Sequence, residues 1–362
     1  MDLTATTAGL ASAVAEVVRL LRTHLPLAGL LLRAGGSGVV VSGSDRETGV
    51  VLHRSATVHT DGAVLVPARL FAATLQSLDE PQVRLVVEGS RLAVRTSCAR
   101  FALPLLDLPA HPGVPELPPL CGHVDSRALV SALAPVASAA SRDDALPIFT
   151  GVRIQSAGSS LHLLATDRYR MAHAVLPWEP GPAPLDVLVP ATALAFRQPS
   201  GRVALHASTD RMGLAWSGDS ITTALLAAPF PDDRARRLLE AVIDSTVLVD
   251  ADTLARAVRR ATPYAGPHGS VTLQVEDTEL RVRGSDPQSG ESEESVKATV
   301  EGNRITKTFQ ARYLADALRA FAGRRVELRI QDGLRSTVLT SPPDDDGVEL
   351  TYLVVPMRSM AS

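Results

Sequence analysis

Much of what would announce an enzyme or a membrane protein is missing from these 362 residues. No apolar run approaches the roughly 20 consecutive residues that a bilayer span requires. A nucleotide-hydrolysing enzyme needs a Gly-rich cradle ending in Lys-Ser/Thr, and none is present; Ala34-Gly35-Gly36-Ser37-Gly38 lacks the dinucleotide spacing and reads as a turn. There is no His-Glu-x-x-His pair, and the nine histidines are scattered. The two cysteines, Cys98 and Cys121, form no C-x-x-C motif, so neither a zinc site nor a disulfide framework is expected. No Gly-x-Ser-x-Gly elbow positions a nucleophile. Asp344-Asp345-Asp346 falls among turn formers and reads as solvated charge. No metal and no cofactor are expected, while a catalytic triad, being spatial, need leave no mark in the sequence.

What is present describes a globular chain: 45% hydrophobic and 21% charged residues, and a length that suits two or three domains. Met1-Asp2-Leu3 carries an acid where a secretory signal has basic residues, which points to the cytoplasm. A net charge of -3 argues against coating DNA by bulk attraction. It leaves open phosphate contact by basic side chains segregated on one face.

A weak internal repeat is the most informative feature. Val64-Leu65-Val66-Pro67-Ala68, Val187-Leu188-Val189-Pro190-Ala191 and Phe309-Gln310-Ala311-Arg312-Tyr313 each end a β-like run and open a helix, at intervals of about 120 residues. Proline suits a first helical turn, where its missing N–H would be unpaired anyway. Val124-Asp125 and Val249-Asp250 precede two further helices in the same register, and Val83-Arg84-Leu85-Val86, Val203-Ala204-Leu205-His206 and Val326-Glu327-Leu328-Arg329 are alternating strands after the Pro- or Gln-headed helices. The expected fold is α+β: three repeated domains near residues 1–119, 120–243 and 244–362, each with two helices packed on antiparallel sheets. The Pro-rich stretches Pro109 to Pro119 and Pro229 to Asp233 read as linkers, and Ser285 to Ser295 and Pro342 to Gly347 as loops.

Leu146-Pro147-Ile148-Phe149-Thr150-Gly151-Val152-Arg153 leads into a strand, and Leu161 to Ala172 reads Leu-His-Leu-Leu-Ala-Thr-Asp-Arg-Tyr-Arg-Met-Ala. From the residues alone these are strands around a polar turn that Asp167 and Arg170 satisfy. Taken with the chain end Tyr352-Leu353-Val354-Val355-Pro356-Met357-Arg358, however, the pattern closely resembles the bacterial DNA polymerase III β subunit, the sliding clamp, over nearly the whole chain. Arg142-Asp143-Asp144 ahead of Leu146-Pro147 resembles its actinobacterial branch.

The resemblance implies DNA-clamp domains in a head-to-tail homodimeric ring, strands outside and helices lining a hole for double-stranded DNA read without sequence preference. It implies a partner-peptide pocket for the DNA polymerase III α subunit, the clamp loader and other proteins, at Phe149, Thr166, Arg168, Tyr169, Arg170, Met171, Pro231, Leu334, Ser336, Leu353, Val354, Val355, Pro356, Met357 and Arg358, with Gln310 and Tyr313 nearby. Buried core strand is the competing reading for part of Leu353 to Val355. Candidate DNA contacts are Arg19, Arg22, Arg127, Arg142, Arg256, Arg259 and Arg260; Arg256 and Arg260 are i, i+4 neighbours without an acid in that turn. The dimer seam maps to Arg100, Phe101 and Leu103 on one side, and to Pro263, Tyr264, Glu291, Glu293 and Glu294 on the other.

Three departures from the pattern accompany the resemblance. Asp232-Asp233-Arg234-Ala235-Arg236-Arg237 carries extra residues, so that any of Arg234, Arg236 and Arg237 could border the pocket. The helix from Ala193 runs quickly into Pro199-Ser200-Gly201, and Ser359-Met360-Ala361-Ser362 follows Arg358. The alternatives are a clamp-derived protein-binding scaffold, or a specialised second clamp with altered partner choice.

Overall fold

The computed structural model describes residues 1–21, 29–196, 199–230 and 243–358. The chain divides into two compact units, Met1–Ser126 with Pro180–Leu225 and Arg127–Glu179 with Leu226–Ser362. Arg22, Pro231, Arg234, Arg236 and Arg237 lie outside the described residues.

In the first unit an antiparallel sheet runs in the order Leu120–Asp125, Arg202–Ala207, Arg211–Trp216, Asp219–Ala224, Thr48–Thr60, Asp2–Thr6, Gln82–Glu88, Arg91–Arg95, Arg100–Pro104. The long strand Thr48–Thr60 pairs through Thr48 to Val51 with Ser220 to Thr223, and through its far end with Asp2 to Ala5. Gly29–Gly35 pairs with Gly38–Ser44 and Gly62–Pro67. Helix α1 (Thr7–Leu20) buries Leu10, Ala13, Val14, Val17 and Leu20, one apolar stripe of helical period, and packs against α2 (Ala68–Gln76), which buries Phe71, Ala72 and Leu75. Each fully buried Leu or Phe contributes roughly 1.5–3 kcal/mol relative to exposure.

In the second unit, one sheet runs Gly151–Ala157, Ser160–Thr166, Arg170–Pro177, Glu349–Val354, Thr337–Thr340, Arg325–Ile330, Ser245–Asp250, Thr299–Gly302. A four-stranded sheet runs Gly290–Lys297, Glu279–Asp286, Ser270–Val275, Thr306–Gln310. Helix α3 (Ser126–Ser138) enters this unit at Arg127, and α4 (Ala251–Ala261) packs on α5 (Ala311–Arg319). Arg170 pairs with Val354 and Val175 with Glu349, so the sheet joins segments far apart in sequence.

The repeat is a strand leading directly into a helix. Asp2–Thr6 precedes α1, Leu120–Asp125 precedes α3 and Ser245–Asp250 precedes α4; Gly62–Pro67 precedes α2 and Thr306–Gln310 precedes α5. After Asp186–Pro190 the helix shrinks to the 3-10 turn Ala191–Leu194. Pro67 and Pro190 stand one position earlier than a first-turn proline: each caps the helix from the last residue of its strand, at φ -61 and -53 with extended ψ. Gln310 holds the same place. Asp250 is a working cap, its carboxylate accepting from the Thr253 N–H at 2.7 Å.

The loop expected over Ser285 to Ser295 is instead a hairpin between Glu279–Asp286 and Gly290–Lys297. Asp286 Oδ1 accepts from the N–H groups of Gln288 and Ser289, and Gly290 sits at φ 87, which closes the turn. Serine and glutamate are polar there because Gly290–Lys297 is a sheet edge, with Glu291 and Glu293 exposed, and Glu293 pairs Arg283 across the strands at 3.0 Å. Pro342 to Gly347 is a loop, organised by Asp344, which accepts from the N–H groups of Asp346 and Val348 and from Ser131 Oγ.

Candidate functional site

The turn between Ser160–Thr166 and Arg170–Pro177, in the second unit, is built from its own polar side chains. Thr166 Oγ1 donates to the Arg170 carbonyl at 2.7 Å and accepts from the Arg168 N–H at 3.1 Å. Asp167 Oδ1 accepts from the N–H groups of Tyr169 and Arg170, each at 3.0 Å. These bonds hold Arg168 at φ 80, a left-handed conformation costing a non-glycine residue roughly 1–2 kcal/mol. Its guanidinium lies 5.7 Å from the ring centres of both Phe149 and Tyr169.

Arg170 faces inward from the same turn. It is buried, donating from Nε to Asp167 Oδ2 at 2.9 Å and from Nη1 to Asp316 Oδ2 of α5 at 2.5 Å. Burial opposes its charge, but Tyr352, Asp316 and Asp167 more than offset that, so the guanidinium is held above its ordinary value. The Tyr313 ring lies 4.8 Å below it and stacks on Tyr169, ring centres 6.0 Å apart. Asp316 also accepts from Arg319 at 2.7 Å.

The chain end is tied to this turn. Val355 N–H donates to the Tyr169 carbonyl at 2.8 Å and Met357 N–H to the Thr308 carbonyl at 2.7 Å. Beside Thr308 stands Lys307, 4% exposed, whose ammonium donates to the carbonyls of Gly333 and Arg335 and so pins the segment carrying Leu334. Burial pushes the Lys307 amine below its ordinary value, against the attraction of Asp332 and Asp244. Tyr169 and Leu334 are left 51% and 52% exposed, the most exposed of the large hydrophobic side chains among the described residues.

Among the pocket residues expected from sequence, Phe149, Thr166, Gln310, Tyr313, Val355 and Met357 are half-buried, and Arg168, Tyr169, Leu334 and Arg358 are exposed. Met171, Leu353 and Val354 are core: their side chains are buried in the sheet and support the surface from behind. Arg170, Ser336 and Pro356 are buried as well. Sequence reasoning missed Lys307 and Asp316. A lysine in an alternating strand and an aspartate on a helix look solvated, and only the fold buries the one and aims the other at Arg170.

A groove of about 550 Å3 runs between α4 and α5, lined by Arg256, Arg259, Arg312 and Arg319 over a floor that includes Ala255 and Ala315. Arg256 donates to Thr253 Oγ1 at 2.9 Å; neither it nor Arg259 nor Arg312 joins an ion pair among the described residues. Arg312 and Arg319 were missed, although their i, i+7 spacing puts both on one helix face. Arg260 differs from its neighbours: both oxygens of Glu294, from the strand Gly290–Lys297, hold its guanidinium, with Nε to Oε2 at 2.8 Å. No acid stands in its own turn, but the adjoining sheet supplies one, and Arg260 lowers the Glu294 carboxyl below its ordinary value. Arg19 pairs with Glu16 at 3.1 Å, and Arg127 and Arg142 are exposed.

Each unit also ends in an open strand. Arg100–Pro104 pairs only with Arg91–Arg95 among the described strands, exposing Arg100 and Phe101; Leu103 is buried and offers the edge only its backbone. Glu88 binds both Arg95 and Arg100. In the second unit Gly290–Lys297 is an open edge of the four-stranded sheet, with Pro263 exposed and Tyr264 half-buried in the adjoining 3-10 turn Thr262–Tyr264. No group of three or more metal-ligating side chains occurs among the described residues.

Three family models match the chain in succession: DNA polymerase III beta subunit, N-terminal domain, over residues 1–115; central domain, over 123–232; and C-terminal domain, over 236–358. The chain is 31% identical over 366 residues to the beta sliding clamp of Streptomyces coelicolor, covering 96% of this chain and 97% of the relative. It is 30% identical over 343 residues to the beta sliding clamp homolog GriR of Streptomyces muensis, covering 92% and 91%. Among solved structures, the sliding clamp of Pseudomonas aeruginosa bound to griselimycin superposes with a TM-score of 0.86 at 25% identity, over 99% of each chain.

Proposed function

We propose, starting from the fact that this chain belongs to the DNA polymerase III beta subunit family, that it is a non-catalytic sliding clamp, closing as a head-to-tail dimer around duplex DNA and tethering DNA polymerase and other partners. The observation that carries this reading is the match of all three clamp domains, in order, along one chain. We place the domain boundaries near residues 119 and 243. The scaffold reading gains no support from the relatives or from the described residues.

Physical roles follow from the surfaces. The arginines of the α4 and α5 groove, with Arg19, Arg127 and Arg142, supply sequence-independent phosphate attraction, which holds a duplex without fixing its register and lets the ring slide. Arg260, Arg19 and Arg319 contribute less, because Glu294, Glu16 and Asp316 already pair with them. The open edges Arg100–Pro104 and Gly290–Lys297 differ in sequence and charge, so two copies joined edge to unlike edge close a ring with both edges used. Partner peptides bury apolar anchors against Tyr169, Leu334, Val355 and Met357, with Arg168 and Arg358 at the rim. No helix among the described residues is long and apolar enough to cross a membrane, and we place the protein in the cytoplasm with the DNA.

The test is topological. Protein loaded on circular DNA is expected to remain bound, and to be lost once the DNA is linearised; equal loss from both refutes the clamp. For the pocket, Met357→Asp is expected to abolish peptide binding while dimerisation persists, measured by anisotropy and by sedimentation.

A further inference from the structure

We propose that Arg168 makes the partner pocket selective for acidic linear peptides, in which the apolar anchors are flanked by aspartate or glutamate. This rests on the pocket reading above and deepens it.

The first observation is backbone geometry. Arg168 occupies φ 80, a conformation that glycine adopts without cost and an arginine does not, and the bonds from Thr166 and Asp167 hold it there. Strain maintained at an exposed position is a mark of a side chain kept for its own sake. The arginine so placed spreads over Phe149 and Tyr169 with no carboxylate on it among the described residues.

The second observation is the charge around it. Arg312 donates to the Tyr313 hydroxyl, on the ring that stacks with Tyr169, and Arg335 and Arg358 adjoin Leu334 and Met357. All three are exposed, and none is in an ion pair with a described residue. The acids in the same place are spent: Asp167 and Asp316 hold Arg170, and Asp316 holds Arg319 as well. Asp332 remains, capping the Gly333 N–H near Lys307. The rim is therefore cationic around an apolar centre, and its complement is an anionic segment with apolar anchors. Exposed Leu334, an aliphatic side chain with no face for a base to stack on, favours a peptide with apolar anchors over a nucleic acid strand, which is held mainly by base stacking and phosphate contacts.

The experiment is fluorescence anisotropy on the full chain with two labelled peptides of equal length. They share leucine and phenylalanine anchors and differ only in the flanks, glutamate in one and glutamine in the other. The protein is expected to bind the glutamate peptide about tenfold more tightly at low salt, and this preference is expected to collapse at about 0.5 M salt. Arg168→Gly is expected to cut the ratio of affinities to about threefold and to raise the thermal midpoint, since the strain is relieved. Arg168→Gln keeps the strain and loses the charge, and is expected to cut the ratio equally without raising the midpoint. Equal binding of the two peptides, with both lost in Met357→Asp, overturns the proposal and leaves the pocket standing. Failure of both peptides to bind overturns the pocket and the proposal together. Displacement of the glutamate peptide by an oligodeoxythymidine at comparable concentration assigns the rim to single-stranded nucleic acid and overturns the proposal too.

Discussion

The turn Thr166 to Arg170 and the groove between α4 and α5 both rest on arginine, and use it oppositely. Arg170 is buried against two carboxylates and the Tyr313 ring, so its charge is consumed in holding Arg170–Pro177 to α5. Arg256, Arg259 and Arg312 stand exposed over alanines, and their charge is available to something else. A guanidinium that holds a fold is thus distinguished from one that meets a partner by the acids within reach, not by residue type or spacing. Arg260 shows how little separates them: it shares a helix turn with Arg256, yet a strand from elsewhere brings Glu294 onto it.

The contrast can be broken most severely at Arg170. Arg170→Ala leaves Asp167 and Asp316 facing each other across a buried gap, and is expected to cost about 3–5 kcal/mol of stability, read from chemical denaturation. In the groove the same chemistry should produce the reverse pattern. Arg256→Ala with Arg259→Ala is expected to leave the denaturation midpoint unchanged, while duplex affinity falls about tenfold and the slope of log K against log salt becomes shallower by about 2. A large fall in stability there would make those arginines structural.

Two smaller effects sharpen the comparison through pH and neutralised charge. Tyr352 is buried, so its phenol is held above the ordinary 10.0, against the pull of Arg170 and a hydrogen bond with Ser138. A raised acid contributes stability that is complete below pH 10 and lost as pH rises through the folded value. Tyr352→Phe is expected to remove that part of the alkaline loss, seen as a flatter thermal midpoint above pH 10. Least of all, Arg260→Gln is expected to change duplex affinity less than Arg256→Gln does, because Glu294 already cancels its charge; equal losses would mean that the ion pair opens on DNA.

Much of the fold was legible in advance. The apolar runs ending at Pro67, Pro190 and Gln310, and Asp125 and Asp250 before their helices, mark strand-to-helix junctions, because capping and the change from period two to helical period are local. The weakening of the helix after Pro190 was visible too, in the early Pro199-Ser200-Gly201. The edge strand Gly290–Lys297 was not, since a strand with one face in water and no partner on one side needs no apolar alternation to betray it. In the site, Tyr169 is exposed, whereas Leu353 and Val354 are buried core, the competing reading of that strand.

By itself the sequence determined the strand-to-helix junctions, their recurrence and the family, because these depend on short-range pattern and on motifs that stay contiguous. Which arginines are neutralised, that Lys307 is buried against the carbonyls of Gly333 and Arg335, and that Arg168 is held in a strained conformation were decided only by tertiary structure. Charge pairing and desolvation depend on which distant strands meet, and Arg170–Pro177 meets Glu349–Val354 only when the sheet closes.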